Sequence, residues 1–64
     1  MTNPQGYEVE FQGATYSKTP AKSFRDIKRI LKTLPTGHVS VVRCHDRFEI
    51  YVGEVSEARF KFGL

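Results

Sequence analysis

The segment from residue 23 to residue 34 constrains the fold more than any other part of the sequence. Its apolar residues share one face of a helix with about 3.6 residues per turn, namely Phe24, Ile27, Ile30, Leu31 and Leu34. Ser23 followed by Asp26 is a variant of the capping box, and Pro35 predicts that the helix ends at Leu34. A helix of about three turns is not stable alone, so we expect it to pack on a sheet.

Alternating residues before this helix predict a first β-hairpin. Residues 7–11 alternate apolar and acidic side chains with period two, and residues 12–13, Gln-Gly, are a turn signal. A two-residue turn there continues into a strand over residues 14–17 and sets Val9 opposite Tyr16. Both strands then place their apolar residues on the same face of the sheet.

The residues after the helix predict three further strands. Residues 38–44 and 47–52 are rich in β-branched and aromatic side chains and are separated by a polar step, which predicts a second hairpin. The register that collects their apolar residues on one face pairs Val41 with Ile50. A short connection then leads to a predicted last strand over residues 57–62.

Together these elements predict an α+β fold with the order ββαβββ in one small domain, residues 1–64. We expect a mainly antiparallel five-stranded sheet with one helix packed on one face, which makes two layers. A chain of 64 residues buries one thin core, and its single cysteine excludes an intrachain disulfide. The sequence shows no internal repeat.

The net charge of +3 is concentrated in one segment. Residues 18–32 hold six of the ten basic residues and only one acidic residue, whereas residues 33–64 hold four of each sign. On the predicted helix, basic residues recur opposite the apolar face, with one more just upstream. These predicted binding residues are Lys22, Arg25, Lys28, Arg29 and Lys32. The alternative interpretation is an ordinary solvated helix face.

A second predicted binding surface lies on the uncovered face of the last three strands. The predicted register places Tyr51 there, with basic residues around it and Glu49 opposite Lys61. Its predicted binding residues are Arg47, Tyr51, Arg59 and Lys61. A single aromatic residue among cations suits a protein contact better than a platform for stacking several bases.

The residues that could carry chemistry do not form a convincing active or metal site. Cys44, His45 and Asp46 are adjacent in sequence, and neighbouring residues of a strand project to opposite faces. The chain lacks the paired Cys and His spacings of a structural zinc site and the glycine-rich loop of a phosphate site. We therefore expect no enzymatic activity, no catalytic residue, no metal and no cofactor.

The sequence thus favours a non-enzymatic binding protein that docks on a larger protein or protein–nucleic acid complex with an acidic surface. In size and in its lack of catalytic groups the chain is similar to short inhibitors made by phages and mobile elements, which implies that it modulates or inhibits its partner by occlusion. The alternative is direct nucleic-acid binding through the basic helix, with or without homodimerisation. The sequence shows neither a signal peptide nor an apolar run of membrane-spanning length, which predicts a cytoplasmic protein without membrane contact.

Overall fold

The fold is a small α+β domain in which two helices cover one face of a four-stranded antiparallel sheet. The computed structural model describes residues 6–64, and residues 1–5, to which the prediction of no signal peptide applies, lie outside the described part. Its elements are β1 (Tyr7–Gln12), β2 (Tyr16–Ala21), α1 (Phe24–Thr33), β3 (His38–Arg43), β4 (Phe48–Glu54) and α2 (Val55–Lys61). The strands lie in the order β2-β1-β3-β4.

Each half of the chain has the same ββα arrangement, although the sequence shows no repeat. β1 and β3 pair antiparallel at the centre of the sheet, and β2 and β4 form its edges. Helix α1 packs mainly over β1 and β2, while α2 packs over β3 and β4. The two halves are therefore related by an approximate twofold axis perpendicular to the sheet.

The core lies between the sheet and both helices. Val9 and Phe11 of β1 and Val39 and Val41 of β3 are almost completely buried there. Helix α1 contributes Ile27 and Leu31, α2 contributes Val55 and Ala58, and Phe62 follows directly after α2. The burial of alternate residues on β1 and β3 confirms the period-two pattern on which the sheet was predicted.

Helix α1 has the predicted position and ends at Thr33, one residue before the predicted end. Leu34 follows its last turn in an extended conformation before Pro35, as a residue that precedes proline prefers. The capping differs in detail, because the Ser23 side chain makes no capping hydrogen bond. Instead, an Asp26 carboxylate oxygen accepts a hydrogen bond of 3.0 Å from the backbone N–H of Lys22. Asp26 therefore binds the backbone N–H of the residue before the N-cap, so neither hydrogen bond of the predicted capping box is formed.

The predicted fifth strand is wrong, since residues 55–61 form the second helix. Ala58 and Phe62 fit both periods, but only the helical period adds Val55 to the buried face and leaves Phe60 outside it. The helix follows β4 directly at Val55, without the short connection that we expected. The sheet consequently has four strands, and the helical layer contains two helices.

The register of the first hairpin also differs from the prediction. Its loop has three residues, Gly13–Thr15, so that Gln12 pairs with Tyr16 and Val9 pairs with Thr19. Adding one residue to a hairpin loop exchanges the faces of the following strand, which moves Tyr16 to the outer face. β2 also continues through Pro20, which is tolerated because β2 is an edge strand.

A β-bulge changes the register of the second hairpin. Arg43 lies opposite Phe48 and Val42 lies opposite Glu49, as the predicted register requires, but Val41 pairs with Tyr51 instead of Ile50. Ile50 is the extra residue, and beyond it β4 presents the opposite set of side chains to the helices.

The turn between β3 and β4 is organised by Asp46. The Arg43 guanidinium donates two hydrogen bonds to its carboxylate, of 3.0 and 2.7 Å, and the Phe48 backbone N–H donates a third of 3.1 Å. Arg47 adopts a left-handed conformation in this turn, with φ of 62°. The hydrogen bonds from Arg43 are the main reason that the pKa of Asp46 is lowered to about 2.

We expect the Asp46 carboxyl to titrate with a midpoint of about 2 in the folded protein, against 3.8 for an unperturbed group. Arg43 stabilises the ionised form of Asp46. The contribution of this ion pair to the free energy of unfolding is therefore complete above pH 3.8 and is lost as the pH falls through about 2. Carboxyl-carbon NMR shifts measured against pH give the midpoint. Arg43→Gln should move it up towards 3.8, and a midpoint already near 3.8 in the unchanged protein would contradict the assignment.

Candidate functional site

The first predicted binding surface is preserved on α1. Arg25, Lys28, Arg29 and Lys32 are all exposed on this helix, and Lys22 is exposed just before it. We call these five residues the basic face of α1. Ile27 and Leu31 are fully buried on the opposite side of the same helix, which fixes the rotation that turns the basic side chains outwards.

One carboxylate partly neutralises the basic face. Asp26 accepts a hydrogen bond of 3.0 Å from the Arg29 guanidinium, one turn along the helix. Among residues 6–64, no carboxylate lies within 4.0 Å of the side-chain nitrogens of Arg25, Lys28 or Lys32. These three cations are therefore available to an external anion.

The second predicted surface does not exist as predicted. The bulge at Ile50 turns Tyr51 to the helix side of the sheet, where it packs against the core beside α2. Its hydroxyl donates a hydrogen bond of 3.4 Å to the backbone carbonyl of Glu54, and partial burial raises its pKa, with smaller effects from nearby carboxylates. Lys61 belongs to α2, so it does not lie opposite Glu49 on the outer face.

Arg59 has a structural environment that the sequence did not predict. Its side chain is partly buried and its Nε donates a hydrogen bond of 2.8 Å to the carbonyl of Leu31. One of its terminal nitrogens donates a second hydrogen bond to the carbonyl of Leu34. The last carbonyls of a helix lack partners within the helix and carry partial negative charge, so Arg59 of α2 caps the end of α1.

Arg47 is the member of the second set that does lie near the outer face. Its guanidinium is 3.1 Å from a carboxylate oxygen of Glu8 on β1. Glu10, on the same face of that strand, accepts a hydrogen bond from the Tyr16 hydroxyl, and this contact raises the pKa of Tyr16. Glu49 is exposed on this face as well. The outer face is therefore a mixed surface with acidic members, and not a second basic surface.

The structure instead brings one residue from each predicted set into a common cleft. Lys28 of α1 and Lys61 of α2 lie on the rim of an open cleft of about 540 Å³ between the two helices and β4. The other lining residues are Phe24, Ile50, Phe62 and Gly63. We call this feature the Lys28–Lys61 cleft. Its apolar residues were missed because the cleft depends on the position of α2, which was predicted as a strand.

A second, smaller depression of about 370 Å³ lies next to this cleft. It is lined by Tyr51, Ser56, Glu57, Phe60 and Lys61. Its lining includes both an acidic residue, Glu57, and a basic residue, Lys61, so its charges do not favour a ligand of either sign.

The residues considered for chemistry are engaged elsewhere or lie apart from the clefts. Asp46 is held by Arg43, whereas Cys44 is half-buried and His45 is exposed in the same turn. Within the part of the chain that the structure describes, no group of three or more His, Cys, Asp or Glu residues is arranged to hold a metal ion. None of the helices formed by residues 6–64 is both long and apolar enough to cross a membrane.

Comparison with known proteins gives no family for this chain. No family model, curated protein or solved structure matches it. The functional interpretation therefore depends on the basic face of α1 and the Lys28–Lys61 cleft.

Proposed function

We propose that this protein is a non-enzymatic binding protein that docks through the basic face of α1 on an acidic surface of a larger protein or protein–nucleic acid complex. Occlusion of that surface then modulates or inhibits the partner. The observation that carries the proposal is the set of exposed cations Arg25, Lys28 and Lys32, which have no carboxylate partner among residues 6–64. Cations arranged on one rigid helix attract and orient an acidic partner.

The distribution of charge over the molecule supports docking through the helical layer. The outer face of the sheet carries Glu8, Glu10 and Glu49 against the cations Lys18 and Arg47, and Arg47 is paired with Glu8. An acidic partner is consequently attracted to the helices and not to the outer face of the sheet.

The neighbouring apolar residues favour a protein surface over nucleic acid as the contact. Phe24 is 48% exposed at the start of α1, and it lines the Lys28–Lys61 cleft together with Ile50 and Phe62. Interface cores of proteins are enriched in aromatic residues and Arg, whereas contacts to phosphates use cations and hydrogen-bond donors and need no exposed apolar residue.

Reversing the charges of Arg25, Lys28 and Lys32 to Glu should reduce partner affinity by about a hundredfold or more, because like charges across an interface cost several kcal/mol. The three side chains are exposed, so the far-UV circular dichroism and the unfolding transition should keep their cooperative form. Proteins retained by the tagged wild type and lost by the triple variant are identified by quantitative mass spectrometry, and their dissociation constants are then measured. The control is Lys18→Glu, which reverses an exposed charge on the outer face of β2.

Two results would contradict the proposal. Equal retention of every partner by the wild type and the triple variant would show that the basic face is not the contact. The second result would come from fluorescence anisotropy, which measures the affinity of the protein for random-sequence DNA and RNA at low and physiological salt. Tight binding whose log–log salt slope is about −4 would indicate about four phosphate contacts and replace the proposal with direct nucleic-acid binding.

A further inference from the structure

The Lys28–Lys61 cleft has an apolar floor that is formed before any partner arrives. The Phe24 ring lies between two other aromatic rings, with centroid separations of 5.3 Å to Tyr7 and 5.7 Å to Phe62. Phe62 is itself a core residue, and Ile50 packs against the core from β4. The floor is thus fixed by packing from three elements, so little side-chain ordering remains to oppose binding.

The rim of the cleft carries charge of one sign. Lys28 and Lys61 are both exposed, and the lining includes no acidic residue. Neither ammonium group has a carboxylate within 4.0 Å among the described residues. The adjacent depression differs in this respect, because Glu57 contributes to its lining.

The openness of the cleft indicates what kind of molecule it fits. Four of its six lining residues are exposed, namely Phe24, Lys28, Lys61 and Gly63. A small ligand binds tightly when a pocket encloses most of its surface, and this cleft covers a ligand from one side only. A side chain that belongs to a longer segment gains further contacts outside the cleft, including contacts to the basic face of α1.

We propose that the Lys28–Lys61 cleft receives an apolar side chain from an acidic peptide segment of the partner, while Lys28 and Lys61 pair with carboxylates on either side of that side chain. This inference rests on the proposed function and names the chemistry of the partner at that same surface. The floor selects the apolar anchor, and the two lysines select its acidic neighbours. Since Lys28 belongs to both the cleft and the basic face, a single acidic segment contacts both.

The test uses a short synthetic peptide with one Phe flanked on both sides by Glu residues, titrated into isotope-labelled protein. We expect NMR shift changes centred on Lys28, Ile50, Lys61 and Gly63. Lys61→Glu should weaken binding by about tenfold or more, because it replaces an attraction with a repulsion next to the anchor. Replacing the peptide's Phe with Ala should also weaken binding by about tenfold, because the anchor's apolar burial is lost.

Two controls separate the cleft from general charge attraction. Lys18→Glu changes the net charge as Lys61→Glu does, but on the outer face of the sheet, so it should leave peptide affinity within about twofold. Lys61→Arg keeps the rim charge and should retain binding. Urea unfolding of the Lys61→Glu variant checks that its loss of affinity does not reflect loss of the fold.

The outcomes distinguish this inference from the function on which it rests. Suppose Arg25→Glu and Lys32→Glu weaken peptide binding while Lys61→Glu and the Phe-to-Ala peptide do not. The basic face then binds acidic segments without the cleft, and the inference is overturned while the proposed function stands. Absence of any shift change at the cleft overturns the inference equally. Retention of native partners by the Arg25, Lys28 and Lys32 triple variant would overturn the proposed function itself.

Discussion

Phe11→Ala should leave the protein largely unfolded at room temperature. Phe11 is 2% exposed, and truncating a buried Phe to Ala costs about 3–5 kcal/mol. In a domain of 64 residues a single hydrophobic core supplies no more than about 3–5 kcal/mol of the free energy of unfolding. The loss is therefore comparable with the whole stability, and urea denaturation followed by circular dichroism measures it.

The environment of the ring explains why Phe11 is so sensitive. Gly13 and Gly37 lie against the ring from two loops, and a Cβ atom added at either glycine would collide with it. On these two sides the ring thus has no neighbouring side chain that could fill the space after truncation. Phe60→Ala is the matched control, because Phe60 is 86% exposed and its truncation should change stability by no more than about 0.5 kcal/mol. Similar losses for the two variants would contradict the assignment of Phe11 to the core.

Arg59→Ala should destabilise the fold by about 2–3 kcal/mol. The substitution removes two hydrogen bonds from a charged donor to carbonyls at the end of α1, and each contributes about 1.5–3 kcal/mol. Water that hydrates the released carbonyls recovers part of this energy. Arg59→Lys should recover part of this loss, because an ammonium keeps the charge near the helix end but cannot donate in the guanidinium's geometry. Urea denaturation gives the free energies, and amide exchange should accelerate first in the last turn of α1.

Lys61→Ala is the control for this prediction. It removes another cation from the last turn of α2, but Lys61 is exposed and donates no hydrogen bond to α1. A change of at most about 0.5 kcal/mol is expected. If Arg59→Ala instead left stability unchanged and weakened partner binding, Arg59 would be the binding residue that the sequence suggested and not a helix cap.

The sequence was sufficient for α1 because several independent signals agree there. The apolar spacing, Asp26 in the first turn and Pro35 after the end all predict the same boundaries. The basic face follows from that helix alone, since the burial of Ile27 and Leu31 determines which side chains point outwards. No long-range contact was needed to predict this part of the candidate site.

The prediction of the last element as a strand was wrong because both the strand period and the helix period fit its residues. Ala58, Phe60 and Phe62 alternate like a strand, whereas Val55, Ala58 and Phe62 follow the i, i+3, i+7 spacing of a helix. That helical spacing also relates Phe24, Ile27 and Leu31 in α1, a similarity that could have identified α2. Without α2, the sequence could not show that Lys28 and Lys61 share a cleft.

The predicted registers of the two hairpins were wrong for a different reason. One extra loop residue before Tyr16 and one bulged residue at Ile50 each reverse the faces of everything that follows in the strand. Such single-residue insertions leave the local alternation unchanged, so the pattern of apolar residues cannot reveal them. The second predicted binding surface was lost through the bulge, because it depended on Tyr51 being on the outer face.

The ββα arrangement of the two halves also has a consequence for how the chain reaches its native state. Each hairpin and each helix forms from neighbours in sequence, but the β1–β3 seam joins residues as far apart as Tyr7 and Arg43. The loop-closure entropy of folding is therefore concentrated in that one seam. Within one half, the apolar face of the helix is only partly covered, and the central strand has a hydrogen-bonding partner along one edge only. We therefore expect the halves to become stable only when they pair. The native state is then expected to be gained or lost in one cooperative step, although its architecture is that of two similar halves.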